Sequence, residues 1–253
     1  MQPLINLDRV KKFITNNTHI DKEGNEIHTP VKYRWTHGAT DLHLGDGLLV
    51  YSFIQFIRAK VCVCIGSGGG FIPRLMTQAR IDLHSQNIFE GKCQPEWGDI
   101  GTTIIIDAAN GVGGFTDWTE ENSFLRTQFQ PQVILETSEK AFYDYFVRQD
   151  IKIDYLHIDG EHSYEGVKKD FELYSTIMSE NGIITIHDID GVYHNTFVVT
   201  EDSKEDFVPF DGPCKFIKEL EGDEKWNLVN LKNFRMFDKK VTSTGLTLLT
   251  RKA

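Results

Sequence analysis

Val61-Cys62-Val63-Cys64-Ile65-Gly66-Ser67-Gly68-Gly69-Gly70 is an apolar run of strand length that opens directly into a glycine-rich turn. Residues 71–84 continue with a helical pattern, so the unit reads strand, turn, helix. Glycine belongs in such a turn because the backbone must bend sharply and let a ligand approach its amides. Read as a turn alone, the stretch carries no chemistry. Read as a cradle, it offers Gly66, Ser67, Gly68 and Gly70 to a nucleotide-like cofactor. The spacing is G-x-G-x-G; Phe71 stands where the dinucleotide-binding turn G-x-G-x-x-G has its third glycine.

Outward from this unit the same rhythm repeats. Residues 103–107, 133–136, 153–159 and 183–188 are further apolar runs, each ending on a polar or acidic residue. They are rich in Val, Ile and Leu without strict alternation, as central parallel strands covered on both faces are. Residues 117–129, 139–148 and 164–180 read as the helices between them. In the last, Val167, Phe171, Tyr174, Ile177 and Met178 form an apolar stripe, Ser163 caps the start, and Gly182 ends the helix after Asn181. Residues 226–237 and 244–251 read as two closing strands joined through Asp238-Lys239-Lys240. The expected fold is therefore α/β: a doubly wound, mostly parallel seven-stranded sheet with a C-terminal antiparallel strand pair. Its ligands belong beyond the carboxyl ends of the strands.

The chain of 253 residues suits one domain, with residues 1–45 as an N-terminal extension and 85–101 as an insertion. Residues 191–212 form a polar, acidic stretch long enough to arch over a pocket, with Tyr193, His194, Phe197, Phe207 and Phe210 suited to an acceptor lid. A surface loop is the plainer reading of that stretch. The formal net charge is −10 and no basic stripe appears, which argues against a nucleic-acid partner. The four cysteines have neither disulfide-framework nor zinc spacing; Cys62 and Cys64 point to one strand face and bury as small hydrophobes. No apolar signal core or membrane-spanning run is present, so a cytoplasmic protein with no membrane partner is expected. The oligomeric state stays open, a homo-oligomer included.

Asp107 closes the second strand, where a carboxylate matches the two vicinal hydroxyls of a ribose; Ala108 follows it. A turn cap is the alternative for Asp107. Thr137 and Ser138 close the third strand, and a helix cap accounts equally well for Ser138. The most specific segment is Ile153-Asp154-Tyr155-Leu156-His157-Ile158-Asp159-Gly160-Glu161-His162-Ser163-Tyr164-Glu165-Gly166. It is answered by Asn181-Gly182-Ile183-Ile184-Thr185-Ile186-His187-Asp188.

This pattern, helped by Gly45-Asp46-Gly47 and Tyr51-Ser52 ahead of the first strand, resembles class I S-adenosylmethionine-dependent methyltransferases. Within them it is similar to the small-molecule and sugar O-methyltransferases: macrolide-sugar and aminocoumarin enzymes and cephalosporin hydroxylase-like proteins. The resemblance covers roughly residues 46–190. It implies S-adenosylmethionine at Gly66, Ser67, Gly68, Gly70, Asp107, Ala108, Thr137, Ser138 and Asp159. It also implies a divalent cation such as Mg²⁺ at Asp159 and Asp188, and a small polar acceptor, a sugar or phosphorylated precursor before others. Two adjacent parallel strands do deliver two carboxylates to one edge, and a hard cation wants few carboxylates plus substrate oxygens. A capping role for Asp159 and amide bonding for Asp188 is the structural alternative.

Glu161, ahead of His162, is the expected general base; histidine as a residue type titrates nearer working pH. His157, inside an apolar strand, reads as a satisfied core histidine. Two departures from the family pattern stand out. Cys64 occupies the place of an acid two residues before the first glycine. Ile189 follows Asp188 where relatives carry an acid or Asn, leaving Asp190 or His187 as third ligand. A nicotinamide-dependent oxidoreductase and a non-catalytic binding protein are the rival readings.

Overall fold

The computed structural model describes residues 7–31, 34, 36–89, 101–108, 118–189, 211–232, 235–237, 240–242 and 244–252. Helix α1 (Leu7–Ile14) leads into a hairpin of β1 (Thr15–Ile20) and β2 (Glu26–Pro30), and α2 (Asp46–Ile57) follows. The central run is β3 (Val61–Ile65), α3 (Phe71–Phe89), β4 (Thr102–Ile106), α4 (Phe124–Gln128), β5 (Gln132–Ile134) and α5 (Ser138–Ala141), which continues as a π-helical turn over Phe142–Val147. Then come β6 (Ile153–Ile158), α6 (Tyr164–Tyr174), a 3₁₀ turn (Ser175–Ile177) and β7 (Met178–His187). The chain closes with α7 (Asp211–Leu220), β8 (Trp226–Leu231), β9 (Arg235–Phe237), β10 (Lys240–Thr242) and β11 (Leu246–Arg251).

Seven strands form one sheet in the order β5-β4-β3-β6-β7-β11-β8. The first five are parallel, and β11 inserts antiparallel to both β7 and β8. This is the expected doubly wound sheet with its antiparallel close. The strands alternate their side chains between two helical layers. Cys62 and Cys64 pack with Val50, Ile54, Ile72 and Leu75 from α2 and α3. Val63 and Ile65 pack on the other face with Phe146, Val167, Phe171 and Phe216. Each large apolar side chain fully buried this way contributes about 1.5–3 kcal/mol. Among the described residues no helix is long and apolar enough to cross a membrane.

Three expected elements differ. The helix expected over 164–180 stops at Tyr174, and Met178 turns extended (ψ 142°) to begin β7 opposite Ile153. Gly182 therefore lies inside a strand and ends no helix. Ile177 and Met178 are buried at the strand start as the apolar stripe of a helix would also demand, so apolar spacing could not separate the two. What fixes the boundary is remote: Ser179 Oγ donates to Asp154 Oδ1 at 2.8 Å, tying the strand start to β6. The helix expected over 117–129 shrinks to α4, whose start is capped by Ser123 accepting from Arg126 N at 3.3 Å. The strand expected over 226–237 leaves the main sheet after Leu231, and β9 pairs with β10 as a separate two-stranded ladder.

Candidate active site

The glycine turn sits at the carboxyl end of β3. Gly66, Gly68 and Gly70 have φ of 71°, 49° and 80°, the left-handed region that side chains resist. Gly66 is also a point of close approach. A Cβ there would lie 2.2 Å from the carbonyl oxygen of Asp159 and 2.5 Å from Gly160 Cα, so this turn and the end of β6 are in direct contact. Ser67 N–H donates to Asp107 Oδ2 across 3.5 Å, and the buried Ser67 hydroxyl has no hydrogen-bond partner among the described residues. Trp118, buried ahead of α4, donates its indole N–H to Gly68 O at 2.7 Å and holds the turn from outside. A left-handed glycine turn, a half-buried acid beside it and an unused buried hydroxyl are features that suit a cofactor cradle.

Cys64, where an acid was the family norm, donates its thiol to Gly66 O at 3.1 Å. Burial pushes that thiol well above its ordinary range, with Asp159 and Asp107 adding to the shift, so it stays neutral. It braces the turn from below. At the end of β5, Thr137 caps α5 by accepting from Lys140 N at 3.3 Å. The Ser138 hydroxyl donates to the buried Asp170, and Tyr174 OH donates to Ser138 O at 2.7 Å. Ser138 is thus committed to α6, and Thr137 to its own helix.

Beyond β6 and β7 the side chains converge. Asp159 Oδ1 lies 3.4 Å from His162 Nε2 and 3.3 Å from His187 Nδ1, and its Oδ2 lies 3.5 Å from His37 Nε2. Asp188 meets the same imidazoles, His162 at 3.4 Å and His187 at 3.3 Å. His187 Nε2 in turn faces Asp46 Oδ2 at 3.5 Å. Asp188 holds φ 57°, and this left-handed residue directs its carboxylate back into the cluster. Strain of that kind, on the order of 1–3 kcal/mol, is kept where function requires it. Burial would raise Asp159, but the surrounding imidazoles of His187, His162 and His37 hold it well below the carboxylate range. Burial would lower His187, yet Asp188 and Asp159 outweigh it and hold the imidazole well above its ordinary value. Three carboxylates in one buried cluster repel one another unless a positive charge joins them. Donors of Asp159, His187 and Asp188 lie within 4.8 Å of one another, a spacing that fits a metal ion.

Of the expected site residues, Gly66, Ser67, Gly68, Gly70 and Asp107 come together on one side of this contact, with Ala108 beside Asp107. Asp159, His162 and Asp188 come together on the other. Glu161 goes elsewhere: it is exposed, accepts from the Ser163 hydroxyl, and folds over Gly166 at the start of α6. His157 is only half satisfied. Its Nδ1 is 2.9 Å from Thr185 Oγ1, while Nε2 has no hydrogen-bond partner among the described residues; burial lowers the imidazole to about 4. Asp190 and residues 191–210 of the expected lid lie outside the described residues. Where the described chain resumes, Gly212 packs so tightly on the His162–Ser163 backbone that a Cβ would meet His162 O at 2.3 Å.

Sequence reasoning missed His37, Asp46 and Trp118. Asp46 was visible between two glycines, and Gly45 explains why: at φ 50°, its missing Cβ leaves room for His37 O, which would otherwise be 2.0 Å away. His37 had no local signal, because nothing in its own segment faces the sheet edge in sequence.

The methyltransferase domain family matches residues 63–189, half of the chain. No curated protein sequence matches it. Among solved structures, the chain is similar to an O-methyltransferase from Bacillus cereus in complex with SAH (13% identity, 85% of this chain and 84% of that one, TM-score 0.55). It is also similar to the O-methyltransferase TomG from Streptomyces achromogenes, involved in tomaymycin synthesis and in complex with SAM (13% identity, 87% of each chain, TM-score 0.53). At such identity these likenesses carry the fold, while the family match, set on a cradle and an acid edge in contact, carries the class and sets aside the oxidoreductase reading. The chain belongs to the methyltransferase domain family and is an S-adenosylmethionine-dependent methyltransferase.

Proposed function

We propose that this methyltransferase acts on a hydroxyl oxygen of a small polar acceptor held at the Asp159–Asp188 edge, with help from a divalent cation. The observation that carries the reading is the contact at Gly66: the cofactor turn touches the backbone of Asp159, so cradle and acid cluster share one space. When bound, S-adenosylmethionine supplies an electrophilic methyl, and a divalent cation supplies positive charge that acidifies and orients an acceptor hydroxyl. The chain's own part is orientation, which turns a bimolecular displacement into an effectively unimolecular one. Asp107 accepts from ribose hydroxyls, the turn of Gly66, Ser67, Gly68 and Gly70 lines the cradle, and Ala108 with the backbone of Thr137 and Ser138 borders the adenine side, the two hydroxyls being engaged within the fold. Asp159 and Asp188 would hold the cation, with His187 as third donor and Asp190 as the other candidate.

His162 is the proposed acceptor of the hydroxyl proton. It stands 3.4 Å from both acids, whereas Glu161 is engaged with Ser163. The family resemblance favours a sugar, a nucleotide sugar or a phosphorylated polysaccharide precursor as acceptor, and the two similar structures are both of O-methyltransferases. The test is mass-spectrometric detection of S-adenosylhomocysteine and methylated product over sugars, nucleotide sugars, sugar phosphates and catechols. Oxygen-methylated product from the sugar group is expected; methylation confined to amines or carbon acceptors overturns the reading. In calorimetry, Asp107→Ala weakens S-adenosylhomocysteine binding by about 1.5–3 kcal/mol. Unchanged affinity removes Asp107 from the cradle.

A further inference from the structure

The acid cluster is ringed by more nitrogen than a magnesium site calls for. Ligand atoms of His37, His157 and Asp159 lie within 4.8 Å of one another, as do those of His37, Asp46 and His187. The His37 and His187 rings are 4.2 Å apart between centroids, and His157 lies 6.0 Å from His37 and 6.1 Å from His187. All three imidazoles are buried.

His157 supplies the independent observation. Thr185 Oγ1 has one proton and is within reach of three groups: Leu156 O at 3.3 Å, Tyr155 OH at 2.9 Å and His157 Nδ1 at 2.9 Å. All three are satisfied together only if Thr185 donates to Leu156 O and accepts from both Tyr155 OH and His157 Nδ1–H. The proton of His157 is then on Nδ1, and Nε2 presents a bare lone pair, fully buried and without a hydrogen-bond partner among the described residues. A metal-binding histidine is prepared in this way, by a hydrogen bond that fixes its other ring nitrogen.

His37 is held in place just as deliberately. Asp46 N donates to His37 O at 2.8 Å, Gly45 allows that approach, and Thr244 Oγ1 donates to the neighbouring Thr36 O at 2.6 Å.

We infer that His37, His157 and His187, with Asp159, form a nitrogen-rich site for a borderline transition cation of the zinc and cobalt class in preference to Mg²⁺. The inference rests on the cation reading above through their shared Asp159 and His187, and deepens it by naming the ion. Mg²⁺ prefers oxygen ligands and keeps its waters; imidazole selects zinc-class ions. The cation also offsets the charge of Asp46, Asp159 and Asp188, which imidazolium alone offsets at the cost of protonating buried rings.

The test uses the full chain, stripped of metal and titrated separately with Zn²⁺, Co²⁺ and Mg²⁺ in a calorimeter. Co²⁺ loading is also read by visible absorption. One equivalent of Zn²⁺ or Co²⁺ is expected to bind more tightly than Mg²⁺, with a Co²⁺ spectrum typical of nitrogen ligation. His37→Ala is expected to weaken Zn²⁺ by about 10-fold or more, with little change for Mg²⁺. His157→Gln gives the same reading, should the first variant melt early. If Mg²⁺ binds as tightly as Zn²⁺, or if neither variant changes Zn²⁺ affinity, the inference falls while the cation reading stands. If no divalent ion binds the wild-type chain, both fall.

Discussion

Asp154 and Asp159 lie at opposite ends of one strand and have opposite surroundings. Asp154, at the amino end of β6, accepts from Lys60 N and Val61 N at 2.9 Å each, and from Ser179 Oγ at 2.8 Å. Its partners are neutral, fixed donors from β3 and β7, so the carboxylate is a staple between three strand starts. Asp159, just past the carboxyl end, faces His37, His162 and His187 at 3.3–3.5 Å. Imidazoles can give up a proton or turn to a metal; backbone amides cannot. The same side chain is structural where its partners are fixed and chemical where they titrate.

The contrast is sharpest in turnover. Asp188→Asn is expected to lower kcat on the order of 10²–10³-fold, the scale of losing one aimed electrostatic contact. Its folding stability moves by less than about 1 kcal/mol, since Asn tolerates the left-handed backbone and one clustered charge is removed. Steady-state kinetics beside urea unfolding reads both numbers. A large stability loss with turnover intact would place Asp188 with the staples.

Asp154→Ala should do the reverse. Loss of charge-assisted bonds lowers unfolding free energy by about 1.5–3 kcal/mol, with kcat unchanged at temperatures where the variant is folded. A drop in kcat at full folding would join the amino edge to the chemistry and dissolve the contrast.

Asp170 is a third kind of acid and gives the smallest effect. It is buried in α6 with the Ser138 hydroxyl as donor, and burial raises it to about 6. The folded chain therefore holds this proton more tightly than the unfolded one. That stabilisation is complete below the unfolded value of 3.8 and is lost as pH rises through about 6. Asp170→Asn keeps an oxygen for Ser138 and removes the charge. Relative to wild type it should gain about 1 kcal/mol in stability between pH 5 and pH 8. Parallel stability curves for the two proteins would show that Asp170 is not held protonated by its burial.

The juxtaposition of the glycine turn and Asp107 was legible because its signals are local. A strand, three glycines and an acid at the next strand's end are read within short windows, and the turn and Asp107 come together as expected. The acid pair was legible for the same reason, since strand ends in a parallel sheet share an edge. Glu161 and His162 were not separable, because adjacent residues in a turn point in different directions, and only the folded contacts, Glu161 with Ser163 and His162 with Asp159 and Asp188, show which faces the cluster. His157 looked like a core residue because apolar neighbours announce burial but not whether both ring nitrogens are paired.

By itself the sequence determined the order of the five parallel strands and the helices between them, the glycine turn at 66–70 and the acids that end β4, β6 and β7. Each depends on backbone geometry over a few residues, which side-chain type and spacing encode directly. Tertiary structure alone decided that β11 inserts between β7 and β8, that α6 ends at Tyr174, and that His37 and Asp46 join Asp159. Those outcomes depend on which distant segments lose water together. A contact such as Thr244 to Thr36, spanning most of the chain, leaves no periodic trace in either segment.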